Sequence, residues 1–195
     1  MSRLHALAVE LARESGRNAN VVEYGLKVGI YNLVSMACVL LAGWALRVLP
    51  EVLAAYIAAG SLRIAGGGVH TSTPALCTVV STAVYGAAGL LGHALGPLIG
   101  GAALEILAVA VYLWLLLAIV RFAPRDVPAK PIPPERRAKL RRLALTVWAV
   151  WGGITWWALA AEVRSELVLA AVLGLTLQSL SLVPSANKDE RRRQT

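Results

Sequence analysis

Apolar residues run along this chain in long blocks separated by short polar breaks. They follow neither a strand's period of two nor the 3.6-residue period of a half-buried surface helix. The blocks cover residues 28–46, 52–65, 74–95, 97–120, 143–161 and 167–183. Roughly 20 apolar residues cross a bilayer as a helix, and backbone in hydrocarbon must satisfy its own hydrogen bonds. The pattern predicts an all-α, polytopic integral membrane bundle of about six spans. Residues 52–65 are short for a span and fit either a short helix or a re-entrant segment. Residues 167–183 are short too, and carry Gln178 inside.

The first 22 residues read differently. Leu4, Leu7, Ala8 and Leu11 share one helical face, while Arg3, Glu10, Arg13 and Arg17 fall mostly off it. An amphipathic helix over residues 2–22, lying on the membrane surface, is expected. No apolar core with a small-residue cleavage site follows Met1, so a cleavable signal is not expected. The chain reads as one membrane domain, 1–195, with an N-terminal amphipathic segment at 1–27, a basic loop at 121–142 and a tail at 184–195.

Charge tests this layout independently. With connections assigned to alternate sides, 17 of the 19 basic residues fall on one side, eight of them between Arg121 and Arg142. The other side receives only Arg47 and Arg164. The positive-inside rule makes the rich side cytoplasmic and puts both termini there. The net charge of +8 is then a matter of topology and of anionic lipid headgroups. Nucleic acid is not an expected partner, because no aromatic residues interleave the basic run.

Chemistry concentrates in one place. Arg63-Ile-Ala-Gly66-Gly67-Gly68-Val-His70-Thr-Ser-Thr73-Pro74-Ala-Leu-Cys77 joins the second block to the third. On one straight helix His70 and Cys77 would stand ~10 Å apart along the axis, too far for a shared proton. Pro74, however, suits the first position of a new helix, with Thr73 as its N-cap. Cys77 then lies in or just past the first turn, and His70 in a loop free to fold back. A helix N-terminus and a nearby imidazolium both favour a thiolate, and free N–H groups there can meet an oxyanion. Gly66, Gly67 and Gly68 allow positive φ and a close approach to substrate. Arg63 can neutralise a carboxylate or phosphate, or anchor its helix end by snorkelling. The residues alone leave two readings open: a His–Cys catalytic dyad, or structural residues in a transport or scaffold protein. Two ligands are too few for zinc, so no metal or cofactor is expected.

The run Arg63-x-x-Gly66-Gly67-x-x-His70-x6-Cys77 resembles the signature of the accessory gene regulator protein B (AgrB-like) family, bacterial membrane cysteine peptidases that mature quorum-sensing pheromones. Tyr24-Gly25-Leu26 and Ala123-Pro124-Arg125-Asp126, followed by Pro131 and a basic cluster, are similar to other family segments. The resemblance implies Cys77 as nucleophile and His70 as general base, acting at the cytoplasmic face of a bacterial cell membrane. It also implies the substrate, a precursor peptide cut on the amino side of its acidic C-terminal part. The remainder stays on the enzyme as a thioester until an internal cysteine or serine closes a thiolactone or lactone ring. Arg136, Arg137, Lys139, Arg141 and Arg142 are then candidates to attract the acidic tail. Their alternative role is to enforce topology and touch lipid. Another Cys-thioester acyltransferase is the enzymatic rival.

Asp126 is the first candidate to orient His70, with Ser81, one turn beyond Cys77, as a supporting residue. Glu105 is expected ~12 Å deep in its span, in a polar contact inside the bundle. Cys38 reads as a small apolar residue in a packed helix. Gly100-Gly101, Gly152-Gly153 and Gly174 suit close helix contacts, and a homodimer is the expected assembly.

Overall fold

The computed structural model describes residues 3–16, 18–68, 73–99, 101–125 and 132–183. Regular structure among them is helical throughout: α1 (Arg3–Ser15), α2 (Ala19–Ala45), α3 (Leu49–Gly66), α4 (Pro74–Leu95), α5 (Gly101–Phe122), α6 (Pro134–Ala160) and α7 (Ser165–Leu182). A short 3-10 turn, Gly96–Leu98, follows α4. Five helical stretches are long and apolar enough to cross a membrane: Ala19–Ala45, Pro74–Leu98, Gly101–Phe122, Pro134–Ala160 and Ser165–Leu182.

The amphipathic helix ends earlier than its apolar face predicts. Gly16 takes φ +64°, and the Asn18 side chain accepts the Asn20 N–H at 2.9 Å, capping the next helix. Residues 19–27 therefore belong to α2. Ala8 and Ala12 of α1 are buried, and His5 meets Glu23 of α2 at 2.6 Å.

Helices α2 and α6 each have 27 residues, about 40 Å at 1.5 Å per residue, against a hydrocarbon core of about 30 Å. In α6 the surplus, residues 134–142, is polar and basic, whereas in α2 residues 19–27 are mostly apolar and carry only Asn20, Glu23 and Lys27. The basic loop expected over residues 121–142 is accordingly part helix. Pro134 at the first position and Glu135 in the first turn start α6, since proline's missing N–H costs nothing there and an acid favours the positive helix end.

Helices α3 and α7 form the centre. Residues 52–65 are not a re-entrant half-helix: α3 is one unbroken helix of 18 residues, about 27 Å long. Glu51 and Arg63 lower its hydropathy, but protein rather than lipid surrounds much of it. Val52, Ala55, Ala58, Ala59 and Leu62 are fully buried. A Cβ on Gly174 of α7 would run into the Ala55 backbone, so the two helices touch main chain to main chain, as small residues permit. Gly101 and Gly153, by contrast, face open space.

Leu62, Leu115, Ile119, Leu175 and Leu182 form the core of the largest buried cluster. Interhelical hydrogen bonds supplement this packing. The Trp148 indole donates to the Tyr112 carbonyl at 2.9 Å, and the Trp151 indole to the Ser61 hydroxyl at 2.9 Å. The Tyr112 and Thr155 hydroxyls meet at 2.8 Å. Glu105 makes no buried contact among the described residues. It is exposed, four residues into α5 rather than eight into a span, because residues 96–98 form the 3-10 turn and α5 begins only at Gly101. It borders an apolar groove of about 660 Å³ between α5 and α6, lined also by Ile106, Leu113 and Trp156. No residue of α4 lines that groove.

Candidate active site

Cys77 sits where its local sequence predicts. Thr73 is extended (φ −133°, ψ 148°) and N-caps α4, with Pro74 beginning the helix. Its hydroxyl accepts the Leu76 N–H at 3.3 Å, and its carbonyl accepts the Cys77 N–H at 3.0 Å. This cap satisfies donors that the start of any helix leaves open. Pro74 has no N–H, so among the first residues of α4 only the Ala75 N–H has no acceptor among the described residues. Among the described residues, the Ala75 N–H is thus the backbone donor left open at this helix start.

Cys77 is half-buried and a free thiol, as is Cys38. Ser81, also half-buried, follows one turn later on the same face. His70 and Asp126 lie outside the described residues.

The glycines before His70 have distinct geometries. Gly66 closes α3, buried against Leu182 and Ala123. Gly67 takes φ 73° and ψ −150°, a region essentially restricted to glycine. A Cβ on Gly67 would stand 3.0 Å from the Arg125 carbonyl oxygen. Gly68 has φ 149°, and a Cβ there would meet the Ser181 hydroxyl at 2.7 Å. Arg63 lies partly buried in the last turn of α3, where its carbonyl accepts the Gly67 N–H at 2.9 Å.

Two residues that the sequence reading left without a role hold this loop. The Gln178 side-chain amide donates to the Gly67 carbonyl at 2.7 Å. The Arg125 backbone N–H donates to the Gly66 carbonyl at 3.0 Å. The Arg125 guanidinium also donates to the Ser181 and Val183 carbonyls at 2.9 and 2.8 Å. The ends of α3, α5 and α7 are thereby joined beside the loop. One signal pointed to Gln178: a side-chain amide inside an apolar block must find a partner.

The basic residues near this end divide by environment. Arg141 donates through Nε to the Ala123 carbonyl at 3.0 Å, tying α6 to the exit from α5. Arg137 donates to the Ile132 carbonyl at 3.3 Å. Arg136, Lys139 and Arg142 are exposed on the first turns of α6.

Comparison with known proteins covers nearly the whole chain. The family model described as accessory gene regulator B matches residues 4–182. A Clostridium perfringens (strain SM101 / Type A) protein named as AgrB-like is 21% identical over 175 residues, covering 86% of this chain and 82% of that protein. A second, named as AgrB-like protein 2, from strain 13 / Type A, is 22% identical over 179 residues with the same coverage. No solved structure matches. The all-helical bundle, the apolar helices and a family match that includes both glycine loop and Cys77 lead to one assignment: the chain belongs to the accessory gene regulator B family.

Proposed function

We propose that this protein is a membrane cysteine endopeptidase that cleaves a precursor peptide through a thioester on Cys77. Family membership supports involvement in accessory gene regulator peptide processing. The observation that carries the finer reading is Cys77 itself, a half-buried free thiol at the capped start of α4. The nucleophilic form of a cysteine is the thiolate, so the reading requires a base to take the proton from this sulfur.

In this reading His70 takes the thiol proton, and the thiolate attacks the carbonyl on the amino side of the peptide's acidic C-terminal part. Among the described residues, the Ala75 N–H is a backbone donor open to the oxyanion. His70 returns the proton to the departing amine, and the acyl chain remains on sulfur. A cysteine or serine within the peptide then attacks the thioester and closes the (thio)lactone, provided water is excluded long enough. The basic end, with both chain termini, faces the cytoplasm, where the cations on α6 attract the acidic tail.

The first test needs no substrate. Alkylation of Cys77 by N-ethylmaleimide is followed against pH in nanodiscs, with Cys38→Ala to remove the second thiol. Rapid reaction at neutral pH that slows when His70 becomes alanine is the expected result. A thiol that stays sluggish until pH exceeds about 8.5 and ignores His70 would overturn the reading.

A further inference from the structure

We propose that the groove between α5 and α6 holds one phospholipid with a primary ammonium headgroup, of the phosphatidylethanolamine type, in the leaflet at the end of the bundle opposite Cys77. Two cavities run together along these helices. One of about 660 Å³ and a second of about 360 Å³ share Val109, Leu113 and Trp156. On α6 their joint lining runs from Trp148 to Ala160, about 18 Å of helix at 1.5 Å per residue. Half of a hydrocarbon core of about 30 Å is about 15 Å. The groove is therefore about one leaflet deep, the reach of a single acyl chain. Gly152 and Gly153 keep its floor low, and a Cβ on Gly153 would meet only open space.

The polar chemistry of the groove selects the occupant. Glu105 stands exposed in the second turn of α5 and lines the wider cavity. Gly101 and Val109 lie one turn to either side, so no cation neighbours it along its helix. At the same end Glu51 and Glu166 both have Arg164, at 3.1 and 3.6 Å, but Glu105 has no ion-pair partner among the described residues. A carboxylate at the edge of hydrocarbon is costly unless a countercharge meets it. Trp156 supplies a second polar group. The Trp148 and Trp151 indoles donate inside the bundle, whereas the indole N–H of Trp156, on the groove wall, has no acceptor among the described residues. An accepting carboxylate and a donating indole match a headgroup that carries a cation and a phosphate together. A primary ammonium donates hydrogen bonds to a carboxylate, which the methylated nitrogen of choline cannot do. An anionic glycerol headgroup would be repelled by Glu105. A second copy of this chain fits less well: a two-fold pairing of this face would bury both Glu105 carboxylates, and no lysine or arginine lines the groove to offset them.

The test is native mass spectrometry of the full chain released from nanodiscs that hold equal parts of phosphatidylethanolamine, phosphatidylcholine and phosphatidylglycerol with identical acyl chains. The parent should retain the ethanolamine lipid over the choline lipid by about three- to tenfold, the scale of a charge-assisted hydrogen bond at a partly exposed site. Glu105→Gln keeps the shape of the groove and should abolish that preference. Glu105→Lys should turn it toward the anionic glycerol lipid. Gly153→Leu, whose side chain enters the groove, should abolish the preference with Glu105 still in place. Glu105 is exposed and Gly153 faces open space, so these changes should leave the bundle folded, which the unfolding midpoint in detergent checks. Should Gly153→Leu not fold, Ala110→Leu, at an exposed position on the α5 wall of the groove, takes its place.

No enrichment of the ethanolamine lipid in the parent, or an enrichment that survives Glu105→Gln, overturns the site. An enrichment lost in Glu105→Gln but kept when the groove is filled places the lipid elsewhere and overturns it equally. Dimers of the parent that become monomers in Gly153→Leu would make the groove an interface between copies, again against the proposal. Each of these outcomes leaves the peptidase reading untouched, since retained lipid is read without reference to Cys77.

Discussion

Glu51 and Arg164 are 113 residues apart in the chain and meet at 3.1 Å at the end of the bundle opposite Cys77. His93 reaches the same Glu51 oxygen at 3.2 Å. The Glu51 side chain is only 2% exposed, while Arg164 and His93 are each about half exposed. One buried carboxylate therefore fastens the start of α3 to the last turn of α4 and to the connection between α6 and α7. Its other oxygen, Oε2, is buried without a partner among the described residues, which leaves the cluster dependent on the contacts it has.

Arg164→Met should for that reason destabilise the protein by about 1–2 kcal/mol. Breaking a fully buried ion pair costs roughly 3–5 kcal/mol, and water at the exposed guanidinium reduces the loss. The double change Glu51→Leu with Arg164→Met should recover most of it, because no buried charge then stands alone. Unfolding midpoints in detergent measure both, and equal midpoints for Arg164→Met and the parent would contradict the account. Alkylation of Cys77 at the far end should be unaffected by either.

Thr73→Ala should cost about 1 kcal/mol by removing the hydroxyl that accepts the Leu76 N–H, the usual loss for an N-cap. Thr73→Ser keeps that oxygen and should stay within a few tenths of a kcal/mol of the parent. The comparison separates the cap from any effect of bulk at the loop edge. If serine and alanine lower the midpoint equally, the hydroxyl is not what matters there.

Where the sequence could be read in advance, the governing interactions were short-range. Thr73-Pro74 is a helix-start signal within four residues of Cys77, so the placement of the thiol followed from neighbours alone. The same locality was available at Gly16 and Asn18, but the apolar face of Leu4, Leu7 and Leu11 drew the helix on past its stop. Glu105 was misplaced in depth because apolar composition does not distinguish the Gly96–Leu98 turn from helix. Gln178 could be seen to need a partner. Which partner was not legible, since Gly67 lies 111 residues away and is brought there by α3 and α7 packing main chain to main chain. Arg125 likewise looked like one cation among many until the ends of α3, α5 and α7 met around it.

Gly67→Ala should be more disruptive than an ordinary glycine-to-alanine change. The backbone there (φ 73°, ψ −150°) is strained for any L side chain by about 1–3 kcal/mol. The added methyl would also stand 3.0 Å from the Arg125 carbonyl oxygen. If the protein cleaves a precursor as proposed, cleavage should fall by more than the folded fraction does, because His70 follows this loop three residues later in the chain. A variant that unfolds earlier yet keeps full turnover per folded molecule would show that loop geometry and chemistry are separable.

The cations on α6 stand in a costly place, which gives a prediction with two opposite signs. Arg136, Lys139 and Arg142 occupy the first turns of the helix, where the macrodipole is positive and each cation loses about 0.3–1 kcal/mol when it is close to the end. Replacing Arg136 and Lys139 by glutamine should therefore stabilise the protein slightly. If these cations attract an acidic peptide tail, the same change should raise KM severalfold with little effect on kcat. It should also flatten the dependence of kcat/KM on ionic strength, since salt screens what the charges supply. Arg141 is left in place because it holds the Ala123 carbonyl, and its loss would disturb the exit from α5. Steady-state cleavage of an acidic-tailed peptide at low and high salt reads out all three quantities. Unchanged KM and salt dependence, alongside the gain in midpoint, would assign these residues to topology and lipid contact instead.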